Sequence, residues 1–146
     1  MPELVPGDVF HDPDFTFQDG HTGNKLFVLL GVSQAGVCVV ARTTSNPAAK
    51  SRSFGCHHDD RFPNFFVPRE AGLFREDTWI NLDYLSEFQA VGLTQRLAQQ
   101  RVRRLKFRLT PRLLAELASC ALDADGTTAA QAHILRATLA SFSSGA

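Results

Sequence analysis

The sequence predicts a mainly β domain of the α+β class: a small antiparallel β-barrel or sandwich followed by a C-terminal α-hairpin. Three observations carry this. Two apolar runs, Leu26–Leu30 and Val37–Ala41, flank the Gly-Val-Ser-Gln-Ala-Gly link and read as a β-hairpin. Short strand-like segments then recur at intervals of about ten residues with turn residues between them. The last third of the chain changes to helical periodicity.

The hairpin is the firmest element. Val28, Val32, Val37, Val39 and Val40 favour the pleated conformation, because a branched Cβ restricts χ1 in a helix and packs well on a sheet. Its second strand ends in Arg42-Thr43-Thr44-Ser45, a cation and three hydroxyls on a rigid edge, where a site is readily built. Before it, Val5-Pro6-Gly7 is a turn leading into a strand that starts at Val9 and Phe10. His11 to Asn24 reads as a long loop, or else as an irregular strand with Phe15 and Phe17 pinned to the core.

After the hairpin, Asn46 to Ser53 is a polar loop and Phe54-Gly55-Cys56 a short strand. Asn64 to Val67 is a further strand, stopped by Pro68, and Asp77 to Leu82 alternates polar and apolar residues as a strand does. Leu93 to Arg103 reads as helix, and Leu105, Phe107 and Leu109 alternate with Lys106 and Arg108 as a final strand would. Thr110-Pro111 opens a helix with Leu113, Leu114, Leu117 and Ala121 inward. Asp125 to Thr128 recaps a second helix with Ile134, Leu135, Thr138, Leu139 and Phe142 inward, and a frayed tail follows. The division is thus residues 1–92 for the β domain and 93–146 for the basic segment and helical hairpin.

The 146 residues carry fifteen bases and fifteen acids, but unevenly. Residues 1–90 hold twelve acids and seven bases, whereas 91–146 hold eight bases and three acids. Arg96, Arg101, Arg103, Arg104, Lys106, Arg108 and Arg112 fall in a span without any acid. Such a cluster docks on the acidic half, neutralises an acidic partner, meets phosphate, or lies as a solvated face. No apolar run is long enough to cross a bilayer, and the first residues have no basic, then apolar, leader pattern. Cys38, Cys56 and Cys120 lack any Cys-x-x-Cys spacing, which predicts reduced thiols and a cytoplasmic protein.

Several short motifs in this order resemble the MazF/PemK family of toxin endoribonucleases. They are the Gly7–Val9 opening, Gly23-Asn24-Lys25 before an apolar strand, Thr43-Thr44-Ser45 closing the next one, Phe65–Pro68, and Asp77–Asp83. The similarity spans residues 5–90. It implies an SH3-like antiparallel β-barrel, a homodimer, an antitoxin protein as partner, and metal-independent cleavage of single-stranded RNA with no cofactor. It also implies a catalytic arginine before the second strand and a threonine after the third.

By position the threonine corresponds to Thr43 or Thr44 and the arginine to Lys25, a departure from the family's Arg-Pro. A guanidinium fork contacts two phosphorane oxygens at once, whereas an ammonium supplies one point charge, so Arg42 is the candidate to replace the fork. On a regular strand, however, Arg42 and Thr43 point to opposite faces. His21 and His57 are candidates for proton transfer to or from a 2′-hydroxyl. Ser45, Lys50, Arg52 and Arg61 are assigned as further contacts to the nucleic acid. Of the rings Phe62, Phe65, Phe66, Phe74, Trp79 and Tyr84, one or two are expected at the surface, the rest in the core. Cys56, His58 and Asp60 would share one face of an extended segment, but adjacent ligands without a second spaced pair do not define a metal centre, and none is assigned. The alternative reading is a catalytically degenerate barrel that binds a protein or nucleic acid.

Overall fold

The computed structural model describes residues 3–17 and 19–143. The tail expected beyond residue 143 lies outside the described residues. In chain order the strands are β1 (Asp8–Thr16), β2 (Thr22–Val32), β3 (Val37–Thr44), β4 (Gly55–His57), β5 (Asn64–Val67), β6 (Thr78–Asn81), β7 (Ser86–Gln89) and β8 (Arg103–Arg108). The helices are α1 (Ala90–Ala98), α2 (Pro111–Leu122) and α3 (Ala129–Ser143). All pairings are antiparallel, in the order β4-β5-β6-β3-β2-β1-β8. β3 pairs with β7 through Val37–Val40 and with β6 through Thr43 and Thr44. Among the described residues no ladder joins β4 to β8, so the sheet is not closed into a barrel.

Both faces of the central strands are buried, which is why their apolar runs are continuous rather than alternating. Val9, Val28, Leu30, Val39 and Ala41 face one core, which α2 and α3 complete with Leu113, Leu114, Leu117, Ile134 and Leu135. Phe10, Phe27, Leu29 and Val40 face a second core with Phe15, Leu93 of α1 and Val102. Phe10, Phe15, Phe27 and Phe88 meet there with ring centroids 5.3–5.9 Å apart.

Most of the predicted loop from His11 to Asn24 is strand. β1 continues to Thr16, with the ladder irregular between Asp12 and Phe15, so Pro13 falls at a bulge where its missing N–H costs no ladder bond. Phe15 is buried, as the irregular-strand reading required. The helix expected over Leu93–Arg103 begins earlier and ends at Ala98, and Ser86–Gln89, not anticipated, is a strand. The basic segment supplies β8, which pairs with β1 and so belongs to the sheet itself.

α2 starts as its sequence dictates: the Thr110 side chain accepts a hydrogen bond from the Leu113 amide and Pro111 occupies the first turn. α3 packs unusually close to β2. A Cβ on Gly31 would lie 2.6 Å from Thr138 Oγ1 and 2.8 Å from Ile134 Cγ2, and Thr138 Oγ1 donates to the Leu30 carbonyl at 2.9 Å. Gly31→Ala is therefore expected to destabilise the fold by about 1–3 kcal/mol through overpacking, read as a lower thermal midpoint.

Two buried carboxylates explain much of the basic cluster. Asp12 receives Arg96 Nη2 at 2.7 Å, and Asp8 receives Arg108 Nε at 2.6 Å with Arg104 Nε at 3.6 Å. Those three arginines hold α1 and β8 against β1. The three-thiol expectation is corrected: Cys56 and Cys120 form a disulfide between β4 and α2, and the free cysteine is Cys38, buried, its thiol pushed up by desolvation. No helix among the described residues is long and apolar enough to cross a membrane.

Candidate functional site

The end of β3, the start of β2, β8 and the 69–78 segment enclose a cleft of about 1100 Å³. Lys25, Thr43, Thr44 and Ser45, assigned to the site from sequence, all line it. Antiparallel pairing places them together: Asp12 lies opposite Lys25 in β1–β2, and Phe27 opposite Arg42 in β2–β3, so the cation opening β2 reaches the hydroxyls closing β3. Lys25 Nζ donates to the Thr43 carbonyl at 3.1 Å and lies 5.9 Å from the Phe17 ring centroid. Burial, then the charges of Arg42 and Lys50, lower the pKa of Lys25 below that of an ordinary lysine. Thr43 is buried and its Oγ1 donates to the Leu26 carbonyl at 3.1 Å. Thr44 is half-buried, and its Oγ1 accepts from the Asn46 amide at 3.1 Å.

Other assigned residues lie elsewhere. Arg42 is turned to the opposite face, where Nη1 donates to the Tyr84 carbonyl at 2.9 Å and Nη2 lies 3.3 Å from the Asp83 carboxylate oxygens. It therefore does not supply the fork. His21 is exposed beyond the tip of the β1–β2 hairpin, its Nδ1 3.1 Å from Asp19, whose carboxyl is held below the usual range by hydrogen bonds from His21. His57 Nε2 contacts the Ser53 carbonyl at 2.6 Å. Lys50 closes its own loop on the carbonyls of Asn46 and Ala48, at 3.2 and 3.1 Å. Arg52 lies 5.9 Å from the Trp79 centroid and Arg61 5.3 Å from that of Phe62. Of the six rings weighed from sequence, Phe62 and Tyr84 are exposed, and neither lines the cleft.

The cleft also contains residues that were not assigned to the site from sequence. His11, Asn24, Arg69, Arg75, Arg103 and Lys106 line it. With Lys25 this makes five Lys or Arg side chains against one acid, Glu76. Arg69, Arg75, Arg103 and Lys106 have no carboxylate within salt-bridge distance among the described residues, whereas Arg96, Arg104 and Arg108 do. Their charge is thus not consumed by an ion pair within the fold. The basic span pointed to Arg103 and Lys106, but no local pattern in the sequence joins them to Arg69 and Arg75.

His11 Nε2 contacts Asn24 Oδ1. With the amide oxygen as acceptor, the neutral ring carries its proton on Nε2 and leaves Nδ1 as a base. Leu105, Phe74 and Phe107 supply apolar surface, Phe107 being half-buried with its ring edge-on to Phe74 at 5.3 Å. A cation-rich cleft with hydroxyls, an imidazole and an aromatic wall is suited to a phosphodiester carrying bases. Comparison with protein-family models, with curated proteins and with solved structures gives no match for this chain.

Proposed function

We propose that the cleft binds single-stranded RNA and cleaves it by attack of the ribose 2′-hydroxyl, as a toxin-type endoribonuclease. The observation that carries this is the meeting of Lys25, the Thr43–Ser45 hydroxyls, His11 and four unpaired cations in one hollow. On this reading the sheet is an SH3-like barrel left open between β4 and β8. A second copy of the chain and an antitoxin protein are its proposed partners.

In the step proposed, the 2′-oxygen attacks the adjacent phosphorus while His11 Nδ1 takes its proton. The 5′-oxygen of the next nucleotide leaves and takes a proton from solvent, to which His11 returns the one it accepted, giving a 2′,3′-cyclic phosphate and a 5′-hydroxyl end. The nucleophile belongs to the substrate, so no water is consumed. Charge accumulates on the non-bridging oxygens, and the guanidinium groups of Arg75 and Arg103 supply the fork that Lys25 lacks. Thr44, less buried than Thr43, is the better-placed hydroxyl to donate to phosphate.

Incubation of single-stranded RNA with the protein is expected to yield those two end groups, with His11→Ala slowing cleavage by about 10²–10⁴-fold, as loss of a general base does. Intact RNA with undiminished binding would favour the second reading, a non-catalytic nucleic-acid-binding module. The internal engagement of Lys25 Nζ and Thr43 Oγ1 by backbone carbonyls is the observation on its side. Growth arrest on expression separates the two in cells.

The lowered pKa of Lys25 gives a pH prediction. The folded protein releases this proton at lower pH than an ordinary lysine, so the charge offered to phosphate is present below the folded-state pKa and lost as pH rises through it. Affinity for RNA should therefore fall in alkaline solution sooner for the wild type than for Lys25→Arg, whose guanidinium stays charged. Identical pH profiles by fluorescence anisotropy would remove Lys25 from the contact.

A further inference from the structure

The second concave region lies on the far side of β4, against α2, and is lined among others by Cys56, His58, Glu116, Ser119, Cys120 and Asp123. Cys56 and His58 are two residues apart, so they leave the chain on one side. Cys120 comes from α2, 64 positions later in the sequence. His58 Nε2 lies 3.1 Å from Cys56 Sγ and 3.8 Å from Cys120 Sγ. The three candidate ligand atoms all fall within 4.8 Å of one another.

We infer that this cluster is a redox-gated metal site: a disulfide when oxidised, and a Cys₂His site for zinc or a similar borderline-soft divalent ion when reduced. The geometry carries it. For tetrahedral zinc, with bonds of about 2.3 Å to sulfur and 2.0–2.1 Å to nitrogen, the ligand edges are about 3.6 Å for S–N and about 3.8 Å for S–S. The two observed S–N distances, 3.1 and 3.8 Å, lie on either side of that edge. Once the sulfur–sulfur bond is broken, the two sulfurs need to move apart, by rotation about the Cα–Cβ bonds of cysteines whose Cα atoms are 5.7 Å apart. The imidazole is therefore set at ligand distance before any metal enters.

Softness of the donors selects the ion. Two thiolates and an imidazole favour zinc over magnesium or calcium, which take oxygen. Three protein ligands leave a fourth position, which water from the hollow's open side would fill. Asp60, considered with Cys56 and His58 on sequence grounds, is committed elsewhere. It accepts from Ser51 N at 2.8 Å, Ser51 Oγ at 2.7 Å and Asn64 Nδ2 at 2.9 Å.

The chemistry balances in two steps. A dithiol reductant delivers two electrons and two protons to the disulfide and is itself oxidised to a disulfide, leaving two thiols. Zinc then binds both sulfurs as thiolates and releases two protons. Exposure of Cys56 and His58 gives the reductant access. In either state α2 remains tied to β4, so the helical hairpin stays docked while the local charge and chemistry change. This inference is independent of the proposed activity in the cleft.

The test is a cobalt(II) titration of the full chain, oxidised and after reduction with a phosphine, which converts the disulfide and water to two thiols and phosphine oxide. The reduced protein is expected to bind one cobalt per chain, with thiolate-to-metal charge-transfer absorption and the strong visible bands of a tetrahedral site, bleached by zinc. The oxidised protein is expected to show neither. Cys56→Ser and Cys120→Ser should abolish the charge-transfer band from the lost sulfur. His58→Ala, which keeps the disulfide and so folds as the oxidised wild type does, removes a direct ligand and should weaken the reduced form's affinity by more than the roughly hundredfold that loss of an outer-sphere partner costs at most. His133→Ala, on the exposed side of α3, is the control expected to bind as wild type. Reduced wild type without stoichiometric cobalt, or His58→Ala binding as tightly as wild type, overturns the proposal and leaves only a disulfide beside a histidine.

Discussion

Arg103→Glu is expected to weaken binding of single-stranded RNA by about thirtyfold at low salt. Arg103 is exposed on β8, lines the cleft and has no carboxylate partner among the described residues. A cation about 4 Å from phosphate in water contributes about 1 kcal/mol, and reversal adds a repulsion of similar size, so about 2 kcal/mol is lost. The same substitution should flatten the dependence of affinity on salt by about 0.7 in log–log slope, the value for one single-strand phosphate contact. Arg101→Glu changes net charge equally at an exposed position outside the cleft, and its affinity should stay within about threefold of wild type. Equal losses in the two variants would assign binding to overall charge rather than to the cleft. Anisotropy measured across a salt series distinguishes these outcomes.

Arg96→Ala is expected to destabilise the protein by about 3 kcal/mol, at the lower end of the cost of stranding a buried charge. Asp12 has no solvent exposure, and Arg96 Nη2 sits 2.7 Å from its Oδ2. The Asp14 amide donates to Oδ1 at 2.8 Å, so one oxygen stays satisfied and the other loses its partner. For a chain of this size the thermal midpoint should fall by roughly 10 °C. Asp12→Asn should cost less, because the amide is neutral and Arg96, partly exposed, can turn to water. A loss below about 1 kcal/mol for Arg96→Ala, by circular dichroism, would mean that the pair is not what holds α1 to β1.

What the sequence displayed was local. Leu26–Leu30 and Val37–Ala41 announced β2 and β3, and Thr110-Pro111 announced α2, because the responsible interactions lie within a few residues. Two walls of the cleft were legible for the same reason: a cation before one strand and hydroxyls after the next are neighbours across a hairpin. Arg42 was misjudged as a substitute fork although strand alternation had already turned it from Thr43. His11 was hidden because the stretch from His11 to Asn24, rich in Asp, Asn and Gly, read as loop, whereas β1 continues through it with a bulge between Asp12 and Phe15.

The remaining parts depend on distant pairings. Arg103 and Lys106 reach the cleft because β8 pairs with β1, a register set by contacts about a hundred residues apart, such as Arg108 with Asp8. Cys120 meets Cys56 only because α2 lies across β4. Neither placement leaves a trace in spacing or periodicity. The absence of a Cys-x-x-Cys pattern said nothing about cysteines brought together by the fold.

The most direct test of the cleft is nuclear magnetic resonance of the labelled protein titrated with a 2′-O-methylated RNA oligonucleotide, which retains the phosphodiester and lacks the attacking hydroxyl. The amide shifts should concentrate at His11, Asn24–Leu26, Thr43–Ser45, Arg75 and Arg103–Phe107, with little change in α3. Shifts confined to α2 and α3, or to the face that carries Arg42 and Asp83, would contradict the placement of the phosphodiester.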